Sequence, residues 1–302
     1  MIVPVYGDAP YLGEALDSAL SQEPAPAEVV VVDDASPEPL HLDPAHAGRC
    51  TLVRRERRGG AAAARGVGLV ALRTPLVALL DADDAWQAGK LEAQLEALAR
   101  HGGVAMCFGR ALEVGPDGRP TGRRPRELPS GLLEPAFMAR TLFECNPIRT
   151  SSALIRRSAL ERAGGFDEPA TDDLGCWMRL ARAGGHFFFE PRAEIRYRRH
   201  SGALSEDIRV GAHIALAVQD AYGDDLDPQT RARLRRDYLT MLARGEIRQR
   251  RYSEARRALR EAARSAPLGP RERALGVVAA IPGLRGALGR RDPHRDRRRT
   301  FP

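Results

Sequence analysis

Three aspartates close the run Leu76-Val77-Ala78-Leu79-Leu80-Asp81-Ala82-Asp83-Asp84-Ala85-Trp86. The apolar part has the length of a buried strand. In an open α/β sheet, ligands gather at the carboxyl ends of the strands. Asp81, Asp83 and Asp84 delivered there suit a hard divalent cation, Mg²⁺ or Mn²⁺, which in turn suits a diphosphate. Without a cation, such carboxylates repel one another until one takes a proton. The alternative is an acidic turn that caps the following helix.

Four further groups have chemical potential. Asp33 and Asp34 end the apolar run Glu28–Val32. A carboxylate there can accept the N3–H of uracil or an equivalent base edge, and helix capping by Asp34 or Ser36 fits the same pattern. The stretch Gly59–Gly68 reads Gly-Gly-Ala-Ala-Ala-Ala-Arg-Gly-Val-Gly. Its small residues let a helix N-terminus approach an anion, with Arg65 in reach of a ribose or phosphate. It reads equally as a tightly packed core helix, and it matches neither the dinucleotide-binding nor the P-loop glycine spacing. Asp172 and Asp173 open an amphipathic segment. Negative charge is favoured at a helix start, and a partly desolvated carboxylate there can act as a general base on a hydroxyl. Capping again competes. Arg199 and His200, in Tyr197-Arg198-Arg199-His200-Ser201, could bind a leaving diphosphate, or His200 could touch the metal. A solvated basic surface is the plainer alternative.

The elements that must position these groups follow from periodicity. Strands are expected at Met1–Val5, Glu28–Val32, Thr51–Arg54 and Leu76–Leu80, with helices at Ala9–Gln22, Gly60–Leu72 and Lys90–His101. This alternation predicts an α/β domain: a mostly parallel central sheet with helices on both faces. A looser section follows from Gly102 to Cys145, with a turn at Gly115–Gly118. Ser151–Ile155, a helix near Ser158–Ala163, an amphipathic helix at Asp173–Ala183 and closing strands at Phe187–Phe189 and Ile195–Arg198 complete the domain. After about Ser205 only helices are expected. Tyr238–Arg248 and Tyr252–Ser265 form a helical hairpin resembling a single tetratricopeptide unit. Arg290–Arg299 is strongly basic and is expected to be flexible.

Composition narrows the classes. The chain has 302 residues, 43% of them apolar, which is enough for a large α/β domain and an appendage. The formal charge of +7 is concentrated in the last third, so a nucleic-acid partner is not expected. Cys50, Cys107, Cys145 and Cys176 are widely spaced, as in a reduced cytosolic protein without a zinc or disulfide framework. The apolar stretch Ala274–Leu288 is interrupted by Pro282 and Arg285, too broken to cross a bilayer.

In this order, the elements resemble the family 2 glycosyltransferases with the GT-A fold, over roughly residues 1–205. Pro4-Val5-Tyr6 is similar to the family's opening Pro-x-Tyr-Asn, with Gly7 replacing the asparagine, which implies Pro4 and Tyr6 at the nucleobase. Val32-Asp33-Asp34-Ala35-Ser36 resembles Val-Asp-Asp-Gly-Ser and implies Asp34 as the base-reading carboxylate. Ala64–Gly68 is similar to Ala-Arg-Asn-x-Gly, which places Arg65 at the donor; Arg58 and Gly66 stand where asparagines are usual. Asp81-Ala82-Asp83-Asp84 matches the D-x-D element, implying Asp83 as metal ligand assisted by Asp84 and Asp81. Ser151–Arg157 and Gly164–Glu168 look like the acceptor-side segment. Asp172-Asp173, with Trp177 and Arg179, resembles Glu-Asp-x-x-x-Trp-x-Arg; Asp173 then takes the place of the catalytic base, with Asp172 and Trp177 beside the substrate.

The resemblance implies inverting transfer from a nucleoside-diphosphate sugar, a UDP-sugar in the first instance, to a hydroxyl of a carbohydrate or lipid-linked acceptor. It implies dependence on Mg²⁺ or Mn²⁺ and a role in cell-surface polysaccharide or glycolipid synthesis. The expected organisation is a GT-A domain at 1–205, a helical appendage at 206–268 and a basic tail at 269–302. The expected location is cytoplasmic, with peripheral contact at the inner membrane face open to the basic tail. Two rivals remain at this stage. A sugar nucleotidyltransferase would show a Gly-rich, basic loop after the first strand, which Gly7-Asp8-Ala9-Pro10 does not resemble. A catalytically degenerate donor-binding scaffold is the other.

Overall fold

The computed structural model describes residues 1–123, 128–166, 171–203 and 206–280. Asp167 and Glu168, and the basic stretch Arg290–Arg299, lie outside the described residues. The chain divides into two compact units, 1–203 and 204–302.

The first unit runs β1 (Ile2–Val5), α1 (Leu12–Leu20), β2 (Val30–Asp33), the single turn α2 (Pro44–Ala47), β3 (Thr51–Arg54), α3 (Gly60–Ala71), β4 (Leu76–Ala78) and β5 (Ala85–Trp86). It continues with α4 (Lys90–Arg100), β6 (Val104–Val114), β7 (Gly131–Leu133), α5 (Pro135–Glu144), β8 (Leu154–Arg156), α6 (Arg157–Arg162), α7 (Asp172–Arg182) and β9 (His186–Arg198).

β1, β2 and β3 pair in parallel. β2 is buried at every position, the mark of a parallel strand covered on both faces. The Leu80 N–H donates to the Ile2 carbonyl at 3.1 Å and joins β1 to the segment after β4. The sheet then continues β4-β8-β6-β9, with β5 and β7 both against β9. Only β8, β5 and β7 run against the common direction. α1 buries Leu12, Ala15, Leu16, Ala19 and Leu20, the positions its periodicity marks. α3 lies so close to β1 that a β-carbon on Gly68 would sit 2.4 Å from Ile2 Cγ2. The small residues of α3 are therefore used in packing.

Two expectations about this unit are corrected. The section expected to be loose contains β6 and α5. β6 is buried at nearly every position, so its sequence reads as an apolar run without the alternation that marks a half-exposed strand. The two short closing strands are one 13-residue strand, β9. Its register against β6 jumps between Gly109↔Glu190 and Arg110↔Glu194, so Pro191–Ala193 bulge out of the ladder. The proline therefore leaves no ladder hydrogen bond unmade.

The second unit contains α8 (Ile208–Tyr222), α9 (Pro228–Arg248), α10 (Tyr252–Ser265) and α11 (Pro270–Ala280). α9 begins ten residues before the expected start, where the Asp227 carboxylate caps the Thr230 N–H at 2.9 Å and Pro228 occupies the first turn. α9, α10 and α11 share an apolar cluster built on Ala243, Ile247, Ala255, Leu259 and Ala279. α11 falls within the stretch expected to be flexible tail. Among the described residues, no helix is long and apolar enough to cross a membrane.

Candidate active site

Arg65 organises the carboxyl edge of the sheet. It projects from α3 and is 3% exposed. Its guanidinium pairs with Asp81 at 2.7 Å and with Asp172 at 3.0 Å. The acidic segment after β4 and the acidic start of α7 are thereby held against one cation. Burial alone would make Arg65 less basic; the charges of Asp81, Asp172 and Asp173 reverse that and hold it above its ordinary value.

Asp173 stands beside this bridge. Its carboxylate accepts a hydrogen bond from Thr150 Oγ1 at 2.5 Å. Burial, with the neighbouring charge of Asp172, pushes it up to about 6; Arg65 and the Thr150 hydrogen bond hold it from rising further. A carboxylate in that range is matched to proton abstraction near neutral pH. Asp172 adopts φ 46°, a left-handed conformation that aspartate tolerates better than most residues.

The three aspartates after β4 have separate environments. Asp81 faces Arg65. Asp83 Oδ2 lies 3.0 Å from His200 Nε2, and both side chains are partly exposed. Burial and then the charge of Asp81 raise Asp83 above the usual carboxylate range, with His200 partly offsetting them. Asp84 faces inward and is 2% exposed. Ser151 Oγ donates to one of its oxygens at 2.5 Å and the Arg198 N–H to the other at 2.9 Å. Asp84, expected as a metal ligand, thus anchors the end of β9, each of its oxygens accepting one hydrogen bond from the protein.

The charge around Asp83 suits a cation. The carboxylate is raised by burial and by a second negative charge, and a divalent ion relieves that repulsion. A carboxylate oxygen with an imidazole nitrogen suits Mn²⁺, and the oxygen alone suits Mg²⁺. Among the described residues, no three His, Cys, Asp or Glu side chains form a complete cage. Asp83 and His200 would therefore hold the ion together with oxygens from substrate or water.

The other expected residues divide by position. Tyr6 is 42% exposed, with the Arg58 guanidinium 3.8 Å above its ring centroid. Pro4 lies in β1 opposite Val32. Asp34 is 2% exposed and accepts from the Gly59 and Gly60 N–H groups and from Arg55. These contacts form the capping arrangement, with the protein's own carboxylate as the anion at the α3 N-terminus. Trp177, expected beside the substrate, is wholly buried and meets Phe166 edge-on at 6.4 Å. It belongs to the core beneath α7. Arg199 continues the β6–β9 pairing through its N–H to the Val114 carbonyl at 2.8 Å.

Thr150 and Arg198 were not expected, and Ser151 was expected only as part of the acceptor-side segment. Arg198 is 2% exposed; it donates to the Asp83 carbonyl at 3.0 Å, pairs with Glu14 at 2.6 Å and stacks on Tyr11. The near-continuous positive run Arg196-Tyr197-Arg198-Arg199 was the available signal, but periodicity does not say which arginine points inward.

A family model described as Glycosyl transferase family 2 matches residues 1–164, from β1 through α6. The chain is a family 2 glycosyltransferase. Among curated proteins, this glycosyltransferase is 30% identical over 230 residues to the succinoglycan biosynthesis protein ExoO of Rhizobium meliloti, covering 72% of the chain and 66% of ExoO. It is 27% identical to the putative teichuronic acid biosynthesis glycosyltransferase TuaG of Bacillus subtilis, covering 68% of the chain and 81% of TuaG. Among solved structures, S. aureus TarS matches with a TM-score of 0.60 at 18% identity, covering 94% of this chain and 53% of TarS. The mannosyltransferase PcManGT of Pyrobaculum calidifontis, in complex with GDP-Man and Mn²⁺, matches with a TM-score of 0.54 at 22% identity, covering 95% and 85%. These likenesses show the GT-A fold. Asp172 and Asp173 lie beyond the stretch matched by the family model.

Proposed function

We propose that this glycosyltransferase moves a sugar from a nucleoside-diphosphate sugar to an acceptor hydroxyl, with inversion at the anomeric carbon. A UDP-sugar is the preferred donor, and the product belongs to a cell-surface polysaccharide or glycolipid. The observation that carries the reading is the Arg65 bridge, which holds Asp81 and Asp172 together and leaves Asp173 beside them. Support for the donor class comes from neighbours in complex with UDP-GlcNAc and with GDP-Man. Support for the product class comes from ExoO and TuaG, named for succinoglycan and teichuronic acid biosynthesis.

In this reading the nucleobase rests against Tyr6, whose face is already a platform for the planar Arg58 group. Asp34 shapes that slot by fixing Gly59 and Gly60. The diphosphate lies towards Asp83 and His200. A divalent ion held by these residues would supply charge neutralisation for the departing diphosphate. The donor set that would hold it is Asp83 with His200. Asp173 takes the proton of the acceptor hydroxyl while its oxygen bonds to the anomeric carbon. The bond from that carbon to the diphosphate oxygen breaks on the opposite face, and its electron pair leaves with the nucleoside diphosphate. One displacement gives one inversion.

Asp173→Asn tests the assignment. Turnover is expected to fall at least ~100-fold, the contribution of a positioned general base, while nucleotide-donor affinity measured by calorimetry stays within about twofold. Loss of donor affinity in that variant would remove Asp173 from the base role.

A further inference from the structure

The short 3₁₀ turn Thr150–Ser152 touches both acidic segments. It is closed by the Ser152 N–H to the Arg149 carbonyl at 2.8 Å and the Ala153 N–H to the Thr150 carbonyl at 3.0 Å. Its carbonyls are held from outside the turn. Trp86 Nε1 donates to Ser151 O at 2.8 Å, and Gln94 Nε2 to Ser152 O at 2.8 Å. Ser151 and Ser152 have no exposed surface and Thr150 is 9% exposed. The turn is a fixed platform.

Two adjacent hydroxyls leave it in different directions. Ser151 Oγ donates to Asp84 and accepts the Asp81 N–H at 3.0 Å. Thr150 Oγ1 donates to Asp173 Oδ2. A threonine hydroxyl has one proton to give, and its β-branched side chain has few rotamers. Pinning Oδ2 leaves Oδ1 as the oxygen open to a further donor.

We propose that Thr150 is a positioning residue for Asp173: its hydroxyl fixes one carboxylate oxygen and presents the other to the acceptor hydroxyl, while Ser151 ties the same turn to the metal-facing segment. The proposal rests on the base role of Asp173 argued above. It gives a physical reason why the base and the Asp81–Asp84 segment keep their spacing. The charged or titratable groups around Asp173 are Asp172 on its own helix, Arg65 on α3, Asp81 beyond β4 and Cys176 one turn along α7. Thr150 carries no charge, so removing its hydroxyl deletes one hydrogen bond and leaves those groups in place.

The test uses Thr150→Val, Thr150→Ser and Asp173→Asn in the full chain. UDP-GlcNAc and GDP-mannose serve as donor probes, with cleavage to water as the reaction read. The carboxyl ¹³C resonance of Asp173, assigned by its absence in Asp173→Asn, is titrated separately. Thr150→Val is expected to lower kcat about tenfold with the donor KM within about twofold. It is also expected to raise the Asp173 midpoint by about one pH unit, because the lost hydrogen bond favoured the charged form. Thr150→Ser restores both. If Thr150→Val does not fold, Thr150→Ala removes the same hydroxyl and is read by the same titration. An unshifted midpoint in the hydroxyl-deleted variant, beside an inactive Asp173→Asn, would overturn the positioning role alone. Full turnover by Asp173→Asn would overturn the base reading and the positioning role with it.

Discussion

Asp173 shows how burial of a carboxyl carries a cost in stability. Burial pushes its folded carboxyl up to about 6 from an ordinary value of 3.8. Between those values the fold holds a proton that the unfolded chain does not. The stabilisation is complete below the unfolded value and is lost as pH rises through the folded one. At pH 8 the ionised Asp173 therefore works against the fold, by on the order of 1–2 kcal/mol after allowance for solvent. Asp173→Asn removes the charge and keeps an oxygen for Thr150. Its melting temperature is expected to exceed the wild type's by a few degrees at pH 8 and to match it at pH 4. An equal gain at both pH values would show that the carboxylate's charge is not the cause. The candidate residues legible in the sequence were charged ones: Asp81, Asp83, Asp172 and Asp173 at or near element boundaries, and Arg65 within an otherwise small-residue helix. The contacts of Thr150 and Ser151 with Asp173 and Asp84 were not legible, because a hydroxyl carries no pattern and its partner here is remote in the chain. Trp177 is a different case. Its place beside the substrate was implied by the resemblance to Glu-Asp-x-x-x-Trp-x-Arg, whereas packing puts it in the core against Phe166.

The pairing of β6 with β9 carries the site's far wall, since β9 ends at Arg198 and delivers His200 opposite Asp83. The bulge in that pair needs Gly109. A β-carbon there would lie 1.7 Å from the Ala193 carbonyl oxygen and 2.9 Å from Ala193 Cβ. Backbone on both strands would have to part. Gly109→Ala is expected to destabilise the protein by about 2 kcal/mol or more, read as a lower urea midpoint with an unchanged slope. An unchanged midpoint would mean the bulge opens at no cost. The same feature explains which elements the sequence disclosed. β1, β2, α1, α3 and α4 follow simple periods and stand close to where the periods place them. β6 lacks alternation because it is covered on both faces, and β9 was split because Pro191 within a bulge looks identical to Pro191 at a strand end. The early start of α9 did have a local signal, Asp227-Pro228 followed by Thr230, which a reading based on apolar spacing passes over.

Charge is distributed unevenly between the two units. Residues 1–203 carry 25 basic and 27 acidic side chains, a net of −2, whereas residues 204–302 carry 22 and 13, a net of +9. All of the chain's excess positive charge therefore resides in the unit that does not contain the candidate site. In α10, the buried Ala255, Ala258, Leu259 and Ala262 form one stripe, and Arg257, Arg260 and Arg264 are exposed at helical spacing on another. Residues 281–302 add seven arginines against two aspartates. Each basic residue near an anionic bilayer contributes about 1 kcal/mol, and the attraction falls with the Debye length. A protein that elongates a lipid-linked acceptor gains from such attraction, because it raises the local concentration of its substrate. The full chain is expected to sediment with phosphatidylglycerol vesicles at 50 mM salt, to stay in solution with phosphatidylcholine vesicles, and to release from the anionic ones at 500 mM. Truncation after Ala280 is expected to weaken sedimentation, and adding Glu at positions 257, 260 and 264 to abolish it. Retention at 500 mM salt would replace electrostatic attraction with apolar insertion. Equal recovery with neutral and anionic vesicles at low salt would remove the membrane role from this unit.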